Sequence, residues 1–157
     1  MTEWSRWATS TVALLSLAAP AYGVEYLTIP QAQKLAFPAA TRFVEAETGR
    51  IWKAQAGDRA IGVFIFDRVI GKHLYIDYAV ALDPNGRVHR VEILQYRESY
   101  GGEVRDQAWL SQFVGKTGGS PLEVGNDIRN ISGATLSSHH VTQGVKRILV
   151  VYGNRLR

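Results

Sequence analysis

The sequence predicts an α+β domain, with a twisted antiparallel sheet and helices packed on one side of it. Three observations predict this. Between residues 42 and 94 the chain runs as short β-branched or alternating stretches separated by turn residues. After residue 104 the apolar period changes to that of helices. No Gly-x-Gly-x-x-Gly follows a strand to open a helix, which disfavours a parallel dinucleotide-binding sheet.

The elements follow in order. Residues 1–23 read as an export signal: Arg6 is the only positive side chain, and Val12 to Ala19 form a short apolar run. Ala19-Pro20-Ala21 and Ala21-Tyr22-Gly23 offer small-x-small cleavage sites. The run is shorter than the ~20 apolar residues of a membrane span. A cleaved signal is expected, with an uncleaved anchor as the alternative. Residues 24–157 then form one domain, placed in the periplasm or another extracytoplasmic space, membrane-associated if the anchor is kept. Ile29 to Leu35 suits a short helix with Pro30 in its first turn. Arg42–Glu47 and Ile51–Ala56 read as a hairpin around Thr48-Gly49. Gly62–Val69 and Leu74–Val80 read as strands, and Asp83-Pro84-Asn85-Gly86 is a strong turn into Val88–Leu94. In that last strand Val91 and Ile93 share one face, and Arg90 and Glu92 the other. Gly101-Gly102 breaks the chain, and Val104–Phe113 is expected as a helix with Trp109, Leu110 and Phe113 in the core. Thr117 to Ser120 is a loop.

Composition removes several functions. With 157 residues, 46% of them hydrophobic, the chain can bury one ordinary core. It has no cysteine, so disulfides, thiolate-ligated iron–sulfur clusters and c-type haem are excluded. A net charge of +4 favours solubility. No basic run interleaved with aromatics occurs, so nucleic acid is not an expected partner. The histidines, His73, His89, His139 and His140, have no metal-ligand spacing; His73 and His89 fall in expected strand regions.

The chemistry concentrates in Ser132-Gly133-Ala134-Thr135-Leu136-Ser137-Ser138. Behind it Val141, Val145, Ile148, Leu149 and Tyr152 mark one face of a helix from about Ser137 to Tyr152. A small turn and several hydroxyls at a helix start make a seat for a phosphate, where N–H groups converge and the dipole favours negative charge. The plain alternative is a cap, with Ser137 or Ser138 accepting from the helix N–H groups. A second cluster is Glu98, Tyr100, Gly101 and Gly102. Two glycines allow close backbone approach to a flat ring, and Tyr100 would stack on it. The plain alternative is a simple turn.

Ser132-Gly133-Ala134-Thr135 resembles the attachment motif of the covalent FMN-binding domain family, which includes the flavin subunits of the Rnf and Na⁺-translocating NADH:quinone reductase complexes. Tyr96 to Glu103, Trp109 to Lys116 and Tyr26 to Pro38 extend the resemblance. It implies FMN esterified to Thr135 by a dedicated flavin transferase. Ser132, Gly133, Ala134, Leu136 and Ser137 would surround the phosphate, and Glu98, Tyr100, Gly101 and Gly102 the ring. The implied function is electron relay between membrane-bound and extracytoplasmic redox partners. The alternatives are a flavoenzyme with non-covalent FMN reducing a small acceptor, and a module without flavin. The family has an acid six residues before the acceptor Thr. This chain has Arg129 there, and its nearest acid is Asp127.

Overall fold

The structure, a computed structural model, describes residues 23–153 and 155. The leader expectation for residues 1–23 lies, residue 23 apart, outside them. Six antiparallel strands form one sheet: β1 (Val24–Glu25), β2 (Arg42–Glu47), β3 (Ile51–Ala56), β4 (Arg59–Ile70), β5 (Tyr75–Leu82) and β6 (Val88–Tyr96). The order is β1-β6-β5-β4-β3-β2. From β2 to β6 each strand pairs with its successor, as expected of stretches joined by tight turns. The turn into β6 is built as its residues predict. Asp83 Oδ1 accepts from the N–H groups of Asn85 and Arg87, at 2.8 and 2.9 Å, and Gly86 supplies a positive φ. The short strand β1, too brief for an alternation to show, closes the free edge of β6.

The helices do not share one side of the sheet, and here the sequence expectation is corrected. Helix α1 (Ile29–Ala36) sets Ala32 and Ala36 against Phe64, Ala79, Ala81 and Leu94. Helix α3 (Thr135–Tyr152) sets Val141, Val145, Ile148 and Leu149 against the opposite face, with Ile65, Tyr78 and Val80. The strands permit this because β5 is apolar on both faces: Ile76, Tyr78 and Val80 point one way, Ala79 and Ala81 the other. Each fully buried Ile, Leu or Val contributes about 1.5–3 kcal/mol. The small alanines let α1 approach closely. On the other face Gly144 does the same for α3, since a Cβ there would fall 2.4 Å from Tyr78 Oη.

The expected helix over 104–113 is three pieces: a 3-10 turn (Gly102–Arg105), α2 (Gln107–Leu110) and a second 3-10 turn (Ser111–Phe113). Asp106 causes the break. Its backbone is extended (φ −59°, ψ 123°), and its carboxylate accepts from the N–H of Ala108 at 2.9 Å, starting a new helix rather than continuing one. Trp109, Leu110 and Phe113 are buried as expected. Thr117–Ser120 closes on itself through N–H donations in both directions, at 3.0 Å each.

Candidate functional site

Segments far apart in sequence meet at the head of α3. Lys72, from the turn joining β4 to β5, comes together with Tyr96 at the end of β6 and with Glu98 and Tyr100 in the loop beyond it. Together with residues 133–137 they line a cleft of about 340 Å³. Thr135, Gly133, Ala134, Leu136, Ser137, Glu98 and Tyr100 are thus brought together. Gly101 and Gly102 lie behind the wall, and Ser132 is exposed outside it.

The turn into α3 explains its residues. Gly133 adopts φ +83°, and the N–H of Ala134 donates to the carbonyl of Ile131 at 3.0 Å. The chain reverses, and the helix starts at Thr135, two residues before the expected Ser137. Ala134 occupies the N-cap and offers no acceptor. No side chain caps the helix, and no acid sits in its first turn. The plain reading of Ser137 and Ser138 as caps is corrected, because both hydroxyls turn inward. Ser138 Oγ donates to the carbonyl of Ala134 at 2.9 Å, and Ser137 Oγ pairs with the Tyr96 hydroxyl at 2.9 Å. The first N–H groups of α3 therefore have no side-chain partner, and the residues that carry them line the cleft. Thr135 is exposed, and its Oγ1 accepts from Asn130 Nδ2 at 3.2 Å.

The opposite wall is braced from behind. The buried Tyr96 hydroxyl donates to the carbonyl of Tyr100 and meets Ser137 Oγ. Burial pushes its phenol up, and the Ser137 hydrogen bond offsets this in part, so it stays protonated. Glu98 does not reach freely into the cleft. Its Oε1 accepts from the backbone N–H groups of His73 and Leu74. Desolvation works against its charge, but the N–H donors of His73, Leu74 and Lys72 outweigh it and hold the carboxyl below its usual value. The two glycines differ. Gly101 has φ +92°, and a Cβ on it would lie 2.4 Å from Tyr96 Oη. Gly102 has ordinary room, with Tyr26 Oη at 3.5 Å. Tyr100 stands at the cleft mouth, 86% exposed.

The basic side chains further along α3 are engaged away from the cleft. Lys146 Nζ donates to the carbonyl of Pro121 at 2.8 Å, and Arg147 pairs with Asp67 at 2.7 Å. His140 Nδ1 contacts the carbonyls of Ile70 and Gly71, at 2.7 and 3.1 Å, and His139 lines a different groove. His73 lies in the β4–β5 turn, not in a strand. Among the described residues no cluster of three His, Cys, Asp or Glu is placed to hold a metal. Arg129 is anchored on the α2 segment: its N–H donates to Gln112 Oε1 at 2.9 Å, and its carbonyl accepts from the Trp109 indole at 2.7 Å.

Asp127, the nearest acid to the motif, is committed to its own loop. It accepts from Lys116 Nζ at 2.7 Å and from the N–H groups of Leu122 and Glu123 at 3.2 and 2.9 Å. Desolvation raises its carboxyl, but these donors together bring it down from 3.8 to about 2. A depressed folded-state value contributes stability that is whole above about pH 4 and is lost as pH falls through about 2. Asp127→Asn is therefore expected to lower the urea midpoint at pH 6 and to flatten its decline between about pH 4 and 2. An unchanged pH profile would show that the loop does not use this charge.

Sequence reasoning missed Lys72, Asn130 and the role of Tyr96. Nothing marks Lys72 in the sequence, because its place depends on how the β4–β5 hairpin tip docks. Tyr96 opens a run already singled out, but nothing in the sequence shows that its hydroxyl meets Ser137, 41 residues away.

Fold and site together define a small α+β domain with a cleft at the uncapped head of its last helix. The chain belongs to the FMN-binding domain family, whose model matches residues 71–150, from the β4–β5 turn to the end of α3. The fold is similar to that of NqrC from Shewanella oneidensis, known from a crystal structure. The two share 17% identity over 83% of this chain and 77% of that one, with a TM-score of 0.53. No curated protein matches the chain.

Proposed function

We propose that this protein is an exported electron carrier holding FMN as a phosphoester on Thr135. One observation carries the residue assignment. Of the hydroxyls in the motif, Ser137 and Ser138 are buried and hydrogen-bonded, and Ser132 lies outside the cleft. Thr135 is exposed, lines the cleft and sits on the first turn of an uncapped helix. The residues present fit the group. The uncapped N–H donors of α3 face a phosphate attached at Thr135, and Gly133 lets the turn come close to it. Asn130 orients the hydroxyl. Tyr100, at the mouth, offers an aromatic face to the ring and leaves its edge near the surface for a partner. FMN supplies the redox chemistry when bound, and the fold binds it, orients it and tunes its electronics. The partners in this reading are a flavin transferase and a membrane-bound or extracytoplasmic redox protein, and the leader at residues 1–23 provides the export.

The test is to precipitate the exported protein, co-expressed with a flavin transferase, in acid. Colour retained in the pellet is expected. Colour released to the supernatant points to the non-covalent flavoenzyme, and colourless protein to a module without flavin.

Arg129 sets a second expectation. The family's acid at this position would be read by the transferase, and Asp127 is tied up by Lys116 and two N–H groups, so it cannot replace that acid. Arg129→Asp is expected to accelerate flavin transfer several-fold under matched conditions, measured as in-gel flavin fluorescence against time. Equal or slower transfer would show that the position is not read.

A further inference from the structure

We infer that Lys72 is the residue that makes this cleft select a phosphate-bearing flavin over the same ring without a phosphate. The inference rests on the flavin reading above and adds to it the chemistry by which the cofactor is recognised. Lys72 is the one cation among the residues lining the cleft, which it shares with the uncapped head of α3. Among the described residues it enters no ion pair. This needs explaining, because Glu98 lines the same cleft. The carboxylate of Glu98 is turned to the backbone, where it accepts from the N–H groups of His73 and Leu74, and it leaves the Lys72 ammonium without a counter-ion.

The turn that carries Lys72 is built rather than loose. Glu98 holds it from one side. His140, one turn into α3, holds the carbonyls of Ile70 and Gly71 from the other. Gly71 is needed for the close fit, since a Cβ there would lie 2.9 Å from Glu98 Oε1 and 3.2 Å from the carbonyl of Leu74. An unpaired ammonium carried on a braced turn, in the same cleft as the uncapped head of α3, is an incomplete electrostatic set, and a phosphate completes it. The isoalloxazine and ribityl parts of a flavin are neutral and gain little from the ammonium. Its contribution therefore falls on the phosphate and appears as a preference for FMN over riboflavin.

The experiment uses the full chain made without flavin transferase, so that binding is reversible. FMN and riboflavin are titrated separately, with flavin fluorescence as the readout. Wild type is expected to prefer FMN, and the preference should shrink as salt is raised. Lys72→Gln is expected to weaken FMN binding on the order of tenfold, the size of one charge-assisted hydrogen bond, and to leave riboflavin unchanged. Lys72→Arg should restore most of the preference, which a purely structural role would not require. Equal weakening of both flavins would overturn the inference by placing Lys72 against the ring, and so would an unchanged preference in Lys72→Gln. Wild type that binds neither flavin here yet becomes flavinylated with the transferase would also overturn the inference, whereas wild type that takes up flavin in neither experiment refutes the flavin reading itself, so the two failures are separable.

Discussion

Thr135→Ala is expected to abolish covalent flavin while the fold survives. In wild type made with a flavin transferase, the denatured band should fluoresce, and in the variant it should not. The loss should be complete rather than partial, because no other motif hydroxyl is both exposed and within the cleft. The stability cost should stay within about 0.5 kcal/mol. Thr135 Oγ1 is exposed and has one partner, Asn130 at 3.2 Å, while Ala is the better helix former at this first helical position. A fluorescent band in Thr135→Ala would move the attachment elsewhere, with Ser132 the next exposed hydroxyl.

The largest effect on stability is expected at Gly101, not at its neighbour. Gly101→Ala forces a side chain to φ +92° and sets its Cβ against the buried Tyr96 hydroxyl. A left-handed non-glycine residue costs about 1–3 kcal/mol, and overpacking a filled site a similar amount. A loss of about 3 kcal/mol, or a fall in Tm of about 10 °C, should follow. Gly102→Ala, with ordinary contacts and no positive φ, should stay within about 1 kcal/mol. Thermal unfolding of the two purified variants checks the contrast. Equal losses would mean that the Tyr96–Ser137–Tyr100 brace does not hold this turn. The visible spectrum of each flavin-loaded variant gives a separate reading. Crowding at Gly101 acts through the Tyr100 carbonyl that Tyr96 holds and should shift the flavin band, while Gly102, behind the cleft wall, should leave it unmoved.

Most of the sheet was legible because its signals are local. Alternation and turn chemistry place β2 to β6 to within a few residues, and Asp83 to Gly86 dictate their own turn. What escaped depends on tertiary context. Which face α1 covers is decided by Ala79 and Ala81 on β5, and small residues in a strand carry no sign of a docked helix. The break at Asp106 competes with a good helical period, and a side-chain cap won. In the site, the hydroxyl-rich turn and the Glu98–Tyr100 loop were both visible, and they do line one cleft. Glu98 lines the cleft as well, and its oxygen also holds a turn 25 residues away in sequence, a hydrogen bond that no spacing rule foresees. Lys72 was invisible for the same reason.

Peptide mapping of the exported wild-type protein by mass spectrometry tests the central claim most directly. The peptide spanning Asn130 to Lys146 is expected to carry the mass of FMN less one water, with fragment ions placing it on Thr135. Unmodified peptide from protein made with an active transferase, or the added mass on Ser132, Ser137 or Ser138, would contradict it.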